Sequence, residues 1–267
     1  MNELLKVNLR AHFLYYRRSR LLLGFALVFL LLVLLTALPA VFSPSRTEAF
    51  TTAKKVFTTL NMYLIAFSAG LGLFLVSSHL HDRNLKMVFT KPCPPTLWLG
   101  SAYLSAIAVS LLVNAAILAC ALGMSLLGHT KVQAGLTFIS LDTFAASLGM
   151  IAYLMFLAMV IHPIIAAVIV LVFNPSTFYA LQLWTLAVYS AGHKSVFLHA
   201  LERLFHYCYM ALPMVHPFSR ETQGIEESLR VAPAQWPYAL YSLGYALSLT
   251  ALSYCLSVFF LQRKKLI

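Results

Sequence analysis

Charge is scarce in this sequence, and negative charge most of all: 10% of the 267 residues are charged, and only 8 are Asp or Glu. A soluble domain is roughly a quarter charged, so most of this chain is not built to face water. None of the acidic residues lies inside a long apolar run, which argues against an ion-coupled carrier with carboxylates at membrane depth. Nucleotide chemistry is missing as well. There is no GxxxxGK[ST], and no glycine is followed by lysine, so the chain has no P-loop of its own and any dependence on ATP must come from a partner. HExxH, GxSxG and an acidic pair within an apolar run are also absent. Cys93, Cys120, Cys208 and Cys255 show no CxxC spacing, and they read as small apolar side chains rather than a disulfide or metal set. His193, His199 and His206 stand six and seven residues apart, which does not stack them on one helical face as metal ligands.

What is present is apolar. Hydrophobic residues make up 61% of the chain and the mean hydropathy is +0.83. Crossing about 30 Å of hydrocarbon takes about 20 apolar residues in a helix, and six runs meet that length: Leu21 to Phe42, Leu60 to Ser78, Leu97 to Leu127, Thr143 to Ile161, Pro163 to Tyr189 and Tyr238 to Leu261. The sequence therefore predicts an all-α, polytopic membrane protein with six transmembrane helices in one domain spanning 1–267. The net charge of +11 would suggest nucleic acid in a soluble protein, but its distribution assigns it to topology. With the N-terminus inside, the cytoplasmic side holds 11 basic and 2 acidic residues, and the other side 8 basic and 6 acidic. That is the positive-inside pattern, and basic tails at both ends require an even number of spans. Both termini are expected in the cytoplasm, at the inner membrane, with the basic ends attracted to anionic lipid headgroups and no nucleic-acid partner.

The stretch that organises the chain is His79 to Gly100, a charged island between two long apolar runs. If Leu80 to Phe89 is a short helix, Asp82, Arg83 and Lys86 fall three or four apart, with Leu85, Val88 and Phe89 giving it apolar contacts; Lys91-Pro92 then stops it. Upstream, residues 1–20 read as a helix in the cytoplasmic interface, with Glu3, Lys6, Arg10 and Arg17 in one strip. Ser43 to Phe57 is expected as a short outer loop. Gly128 to Leu141 is expected as another, with Ser140 or Asp142 capping the fourth span. Trp98 is placed to anchor in the headgroup belt.

Asn114, in the middle of the third run, suits an interhelical hydrogen bond or a place on a substrate path. His162-Pro163 suits an inner turn, although one long Pro-kinked helix from Thr143 to Phe173 fits too. Asn174-Pro175 breaks the fifth run, and a break at membrane depth is tolerated where it is buried in protein or lines a cavity; Asn174 is thus a second candidate lining residue. Within 193–237, Val196 to Leu212 has the pattern of an amphipathic outer helix, and the rest is loop-like. There Glu226, Glu227 and Arg230 approach the EExxxR motif of intramembrane CAAX-type proteases, but the arginine is one residue too close and no histidine follows it.

In layout the chain resembles the ABC-2 type permeases, the membrane subunits of type V ABC exporters: six spans, a basic N-terminal interfacial helix, a charged inner loop after span two, an amphipathic outer helix before span six and a basic tail. The loop HDRNLKMVFTKPCPPTLWLGS carries the closest match, an acidic and basic run, a proline with basic residues, then an aromatic entry to span three. It departs from the family in His79 and His81, where acidic residues are usual, and in Ser101, where a lysine follows the glycine. The resemblance implies that 79–96 is a coupling loop seated on a separate P-loop ATPase subunit, with Asp82, Arg83, Asn84, Leu85, Lys86, Val88 and Phe89 making the contact.

It further implies that this chain is not itself an enzyme. It would act as a homodimer or beside a similar permease subunit, with ATP and magnesium bound by the ATPase, exporting a lipid-like, amphipathic or drug-like cargo. The alternatives are a polytopic membrane enzyme or assembly factor that needs no ATPase, or an ion-coupled secondary transporter.

Overall fold

A computed structural model describes residues 2–18, 20–42, 46–79, 94–127, 133–172, 183–184, 196–197, 200–201, 203–204, 207, 225 and 229–263. It is almost entirely helical, with no strand among the described residues. The helices are α1 (Asn2–Arg18), α2 (Leu21–Phe42), α3 (Arg46–His79), α4 (Pro95–Leu127), α5 (Gln133–Val160), α6 (Pro163–Val172) and α7 (Trp236–Arg263), the last preceded by a 3-10 turn at Pro233–Gln235. Among the described residues, four stretches are long and apolar enough to cross a bilayer, as expected of a polytopic membrane protein: Lys54–Ser77, Thr96–Gly123, Gln133–Val160 and Pro233–Arg263. In α2 the apolar stretch covers Leu23–Leu32 among the described side chains.

α5 is the centre of the bundle, packed against α3, α4, α6 and α7. Its small residues explain the position. Gly135, Ser140, Ala145, Ala146, Ser147, Gly149 and Ala152 are all buried, and small side chains let helix backbones approach where lipid supplies no hydrophobic drive for association. α7 runs parallel to it, since Phe138 meets Trp236 at 5.8 Å and Phe156 meets Phe260 at 6.3 Å between ring centroids. α2 runs antiparallel to α3, with Phe25 edge-on to Phe67 at 4.4 Å and Phe29 beside Tyr63 at 6.3 Å. At the N-terminal end of α5, Gly135 lies so close to the carbonyl of Leu229 that an added Cβ would collide with it. Leu229 has a φ of 53°, and its amide donates to the Ile225 carbonyl at 2.7 Å.

Several boundaries differ from the sequence expectation. The outer loop placed at Ser43 to Phe57 is helical from Arg46 onward, because Val56 and Phe57 are buried in a core cluster with Leu60, Leu64, Ile117 and Leu136 and extend the helix past its apolar run. The return at Gly128 to Leu141 is helical from Gln133, so neither Ser140 nor Asp142 is a cap. Both lie about two turns or more inside α5, and Asp142 thus falls within the Gln133–Val160 span, where the sequence had placed no acidic residue. Trp98 is not an exposed anchor; it is 7% exposed, covered by His12 of α1 at 5.9 Å.

At the 79–96 segment, α3 runs to His79 and α4 starts at Pro95, while 80–93 lies outside the described residues. Proline belongs in a first helical turn, where its missing N–H would have no partner, and the amides of Leu97 and Trp98 donate back to the Pro94 carbonyl at 3.0 and 3.1 Å. At His162-Pro163 the helix is interrupted between Val160 and Pro163. Trp236 and Arg263 bound the last span two residues beyond its apolar run at each end.

Candidate functional site

Two polar constructions stand out in a chain with so few polar groups. The first joins α1 to the start of α4. His12 Nε2 lies 3.1 Å from Ser101 Oγ, and Tyr16 Oη lies 3.0 Å from Ser105 Oγ. Both pairs advance by four residues on each helix, so α1 runs parallel to the first turns of α4. Proton accounting fixes the direction of each bond. Ser101 spends its proton on the Trp98 carbonyl at 2.6 Å and Ser105 on the Ala102 carbonyl at 2.8 Å, and a hydroxyl has one proton to give. The donors are therefore His12 Nε2–H and the Tyr16 phenol. The same accounting sets the tautomer of a neutral His12. Burial pushes the Tyr16 phenol well above its ordinary value, partly offset by the bond to Ser105, so Tyr16 stays protonated and remains a donor. On the other side Tyr15 stacks on Phe74 near the end of α3 at 5.5 Å.

The second construction crosses the bundle. Ser68 Oγ on α3 lies 3.1 Å from Ser110 Oγ on α4, which lies 2.8 Å from Ser147 Oγ on α5. Ser147 donates to the Phe144 carbonyl at 2.7 Å, so Ser110 donates to Ser147 and Ser68 donates to Ser110. One turn further along α4, Asn114 Oδ1 accepts from Ser140 at 3.1 Å. α7 joins α4 through Tyr103 and Ser257 at 3.2 Å, and through Tyr254, which donates to the Thr96 carbonyl at 3.0 Å. Three buried oxygens, Asn61 Oδ1, Tyr153 Oη and Ser242 Oγ, have no hydrogen-bond partner among the described residues.

Of the residues singled out from sequence, Asn114 takes the interhelical hydrogen bond rather than an open lining position: it is buried, with its oxygen turned to Ser140. Asp82, Arg83, Asn84, Leu85, Lys86, Val88, Phe89 and Asn174 lie outside the described residues, as does most of Val196 to Leu212. Of that last segment, Val196, Phe197, Ala200, Leu201, Arg203, Leu204 and Tyr207 are helical. Cys120 and Cys255 are free, and no cluster among the described residues could hold a metal ion.

Sequence reasoning places Tyr16 with Leu5 and Leu9 beside the basic strip, and Ser68 with Asn61, Gly70 and Gly72 on a helix-packing face, but it missed His12 and the hydrogen-bond partners that join these residues to α4 and α5. The signal for His12 was available: His12 and Tyr16 stand four apart on α1, off the basic strip. For the serine partners it was faint, because single serines in apolar runs are common. Comparison of the chain with protein-family models, with curated proteins and with solved structures finds no match.

Proposed function

We propose that this chain is the permease subunit of an ATP-driven transporter of the ABC-2 type. In this reading it has six spans with both termini in the cytoplasm at the inner membrane, and it works as a homodimer or beside a similar subunit. A separate P-loop ATPase supplies ATP and magnesium chemistry, and the cargo is lipid-like, amphipathic or drug-like. The observation that carries the reading is the stem of the charged loop. α3 ends at His79 and α4 starts at Pro95, and α1 holds both ends, by Tyr15 on Phe74 and by His12 and Tyr16 on Trp98, Ser101 and Ser105. A charged loop of this size on a stem packed into three helices is suited to passing a push from a soluble subunit into the bundle.

The mechanism follows. Asp82, Arg83, Asn84, Leu85, Lys86, Val88 and Phe89 contact the ATPase. Closure of the ATPase on ATP displaces the loop, α1 keeps the stem from bending, and α3 and α4 shift as units. Such a displacement does work only on an element with two arrangements that the ATPase favours unequally. The scarcity of charge in the spans supports an apolar or amphipathic cargo. The test is purification in mild detergent from the native host, wild type against Arg83→Glu/Lys86→Glu, with the co-purifying proteins identified. A P-loop ATPase with wild type and not with the variant is the expected result. An ATPase with both refutes the loop contact, and none even after crosslinking refutes the transporter reading in favour of a membrane enzyme or assembly factor.

A further inference from the structure

α5 carries its one charged residue, Asp142, on the side that packs along α7. At about 100° per residue, Phe138, Asp142, Ala145 and Gly149 share a face of α5. Three of these four meet α7. Phe138 lies against the Trp236 ring at 5.8 Å, Ala145 falls in one core cluster with Ala246, and a Cβ on Gly149 would lie 3.6 Å from the Leu249 side chain. The two helices run parallel, so the rung between Phe138–Trp236 and Ala145–Ala246 brings Asp142 level with Ser242, on the buried stripe that holds Ala239 and Ala246. Ser242 is 2% exposed and its Oγ has no hydrogen-bond partner among the described residues, so the two are not bonded to each other. Ser101, Ser105 and Ser147 each give their proton to a carbonyl of their own helix; Ser242 does not. Half-buried Asp142 stands roughly 14 Å along α5 from Gln133. An ionisable side chain inside a span is costly, and it faces a partner, a cavity or a ligand path.

We propose that the Asp142–Ser242 rung binds the ammonium head of a cationic amphiphile that enters from the bilayer. Three observations commit it to that ligand. The first is the donor and acceptor balance. Carboxylate and hydroxyl oxygens both accept from N–H, and a carboxylate has about four acceptor sites, so an ammonium adds to the contacts Asp142 already makes. The second is the aromatic flank. Tyr241 and Tyr245, one residue before Ser242 and three after it, expose 57% and 37% of their surface on α7, and aromatic faces hold an organic ammonium. A divalent metal ion takes many oxygen ligands, and no group of three His, Cys, Asp or Glu suited to one occurs among the described residues. The third is charge. Apart from Asp142, the one charged residue on α5 and α7 is Arg263 at the far end of α7, so the phosphate of a zwitterionic lipid has no partner on either helix near the rung. Binding here does not depend on the transport reading.

The test reconstitutes the full chain in nanodiscs of phosphatidylcholine and labels it with an alkylamine that carries a diazirine in its tail, the modified residues being located by mass spectrometry. Wild type is expected to be labelled on α7 or the facing side of α5. Excess dodecylamine should displace the label, while dodecanol and phosphatidylethanolamine should not. Asp142→Asn should abolish the displaceable label and Asp142→Glu should retain it. Ser242→Ala should raise the dodecylamine needed for half displacement on the order of tenfold. Ser248→Ala, at an exposed α7 hydroxyl bonded to the Gly244 carbonyl, should leave it unchanged. Equal displacement by dodecanol, displaceable label that survives Asp142→Asn, or an equal effect of Ser248→Ala overturns the proposal. So does displacement by phosphatidylethanolamine as strong as that by dodecylamine, which would make the rung a site for ordinary membrane lipid. Should Asp142→Asn fail to fold, Ser242→Ala decides alone, weakened displacement supporting the proposal and unchanged displacement overturning it.

Discussion

Replacing Ser110 with alanine should cost more than replacing Ser68, and the reason lies in the direction of the proton chain. Ser68 donates to Ser110, Ser110 to Ser147, and Ser147 to the Phe144 carbonyl; all three serines are fully buried. Ser68→Ala removes the first donor and strands nothing. One interhelical bond in a membrane protein averages about 0.6 kcal/mol and reaches about 1.7, so the loss should be near the lower value. Ser110→Ala removes two such bonds and leaves the Ser68 proton without its acceptor, which adds about 1 kcal/mol, for a total of roughly 2 kcal/mol. The double variant Ser68→Ala/Ser110→Ala removes the stranded hydroxyl along with the bonds, so it should be no less stable than Ser110→Ala alone. The assay is reversible unfolding from mixed micelles, read as a double-mutant cycle. Additive costs, or a Ser68→Ala cost equal to that of Ser110→Ala, would refute the assigned direction.

The α1 contact makes a related prediction. Tyr16→Phe removes one donor and strands nothing, because Ser105 already donates to Ala102; the expected loss is about 1 kcal/mol, seen as faster hydrogen exchange in α1. With the Tyr16 phenol raised in the folded state, its contribution is complete below about pH 10 and is lost as pH rises above that; Tyr16→Phe should flatten the alkaline arm of the stability profile. At Gly135 an alanine meets the Leu229 carbonyl, and overpacking against backbone should cost about 1–3 kcal/mol. Gly244→Ala, where an added Cβ meets nothing within 4 Å, should be neutral or stabilising by up to about 1 kcal/mol. A thermal-shift comparison in one detergent separates the two glycines.

Helix α2 shows how far an apolar run can be read directly: its bounds, Leu21 and Phe42, are those of the run itself. α3 and α5 show the limit. Each starts well before its run, α3 at Arg46 and α5 at Gln133, because Val56, Phe57, Leu136 and Phe138 are buried against other helices. A hydropathy window stops where polar residues such as Lys54, Lys55 and Gln133 dilute it, while the helix stops where its packing does. Trp98 was misplaced for the same reason. A tryptophan at a span entry has the composition of an interfacial anchor, and only the position of α1 turns it into a buried residue.

What the sequence determined by itself is the solvent of each segment. Runs of about 20 apolar residues have no stable place in water, and a backbone in hydrocarbon must satisfy its own hydrogen bonds, which makes such runs helices; the paucity of acidic residues and the absence of a P-loop are equally properties of the string. What only the tertiary structure decided is which of the few polar groups meet. His12 finds Ser101 and Tyr16 finds Ser105 across 89 residues of chain, and Ser68, Ser110 and Ser147 align from three helices. In an apolar run the rotational setting of each helix is set by close packing of small side chains against a neighbour, and that neighbour is not written in the local pattern.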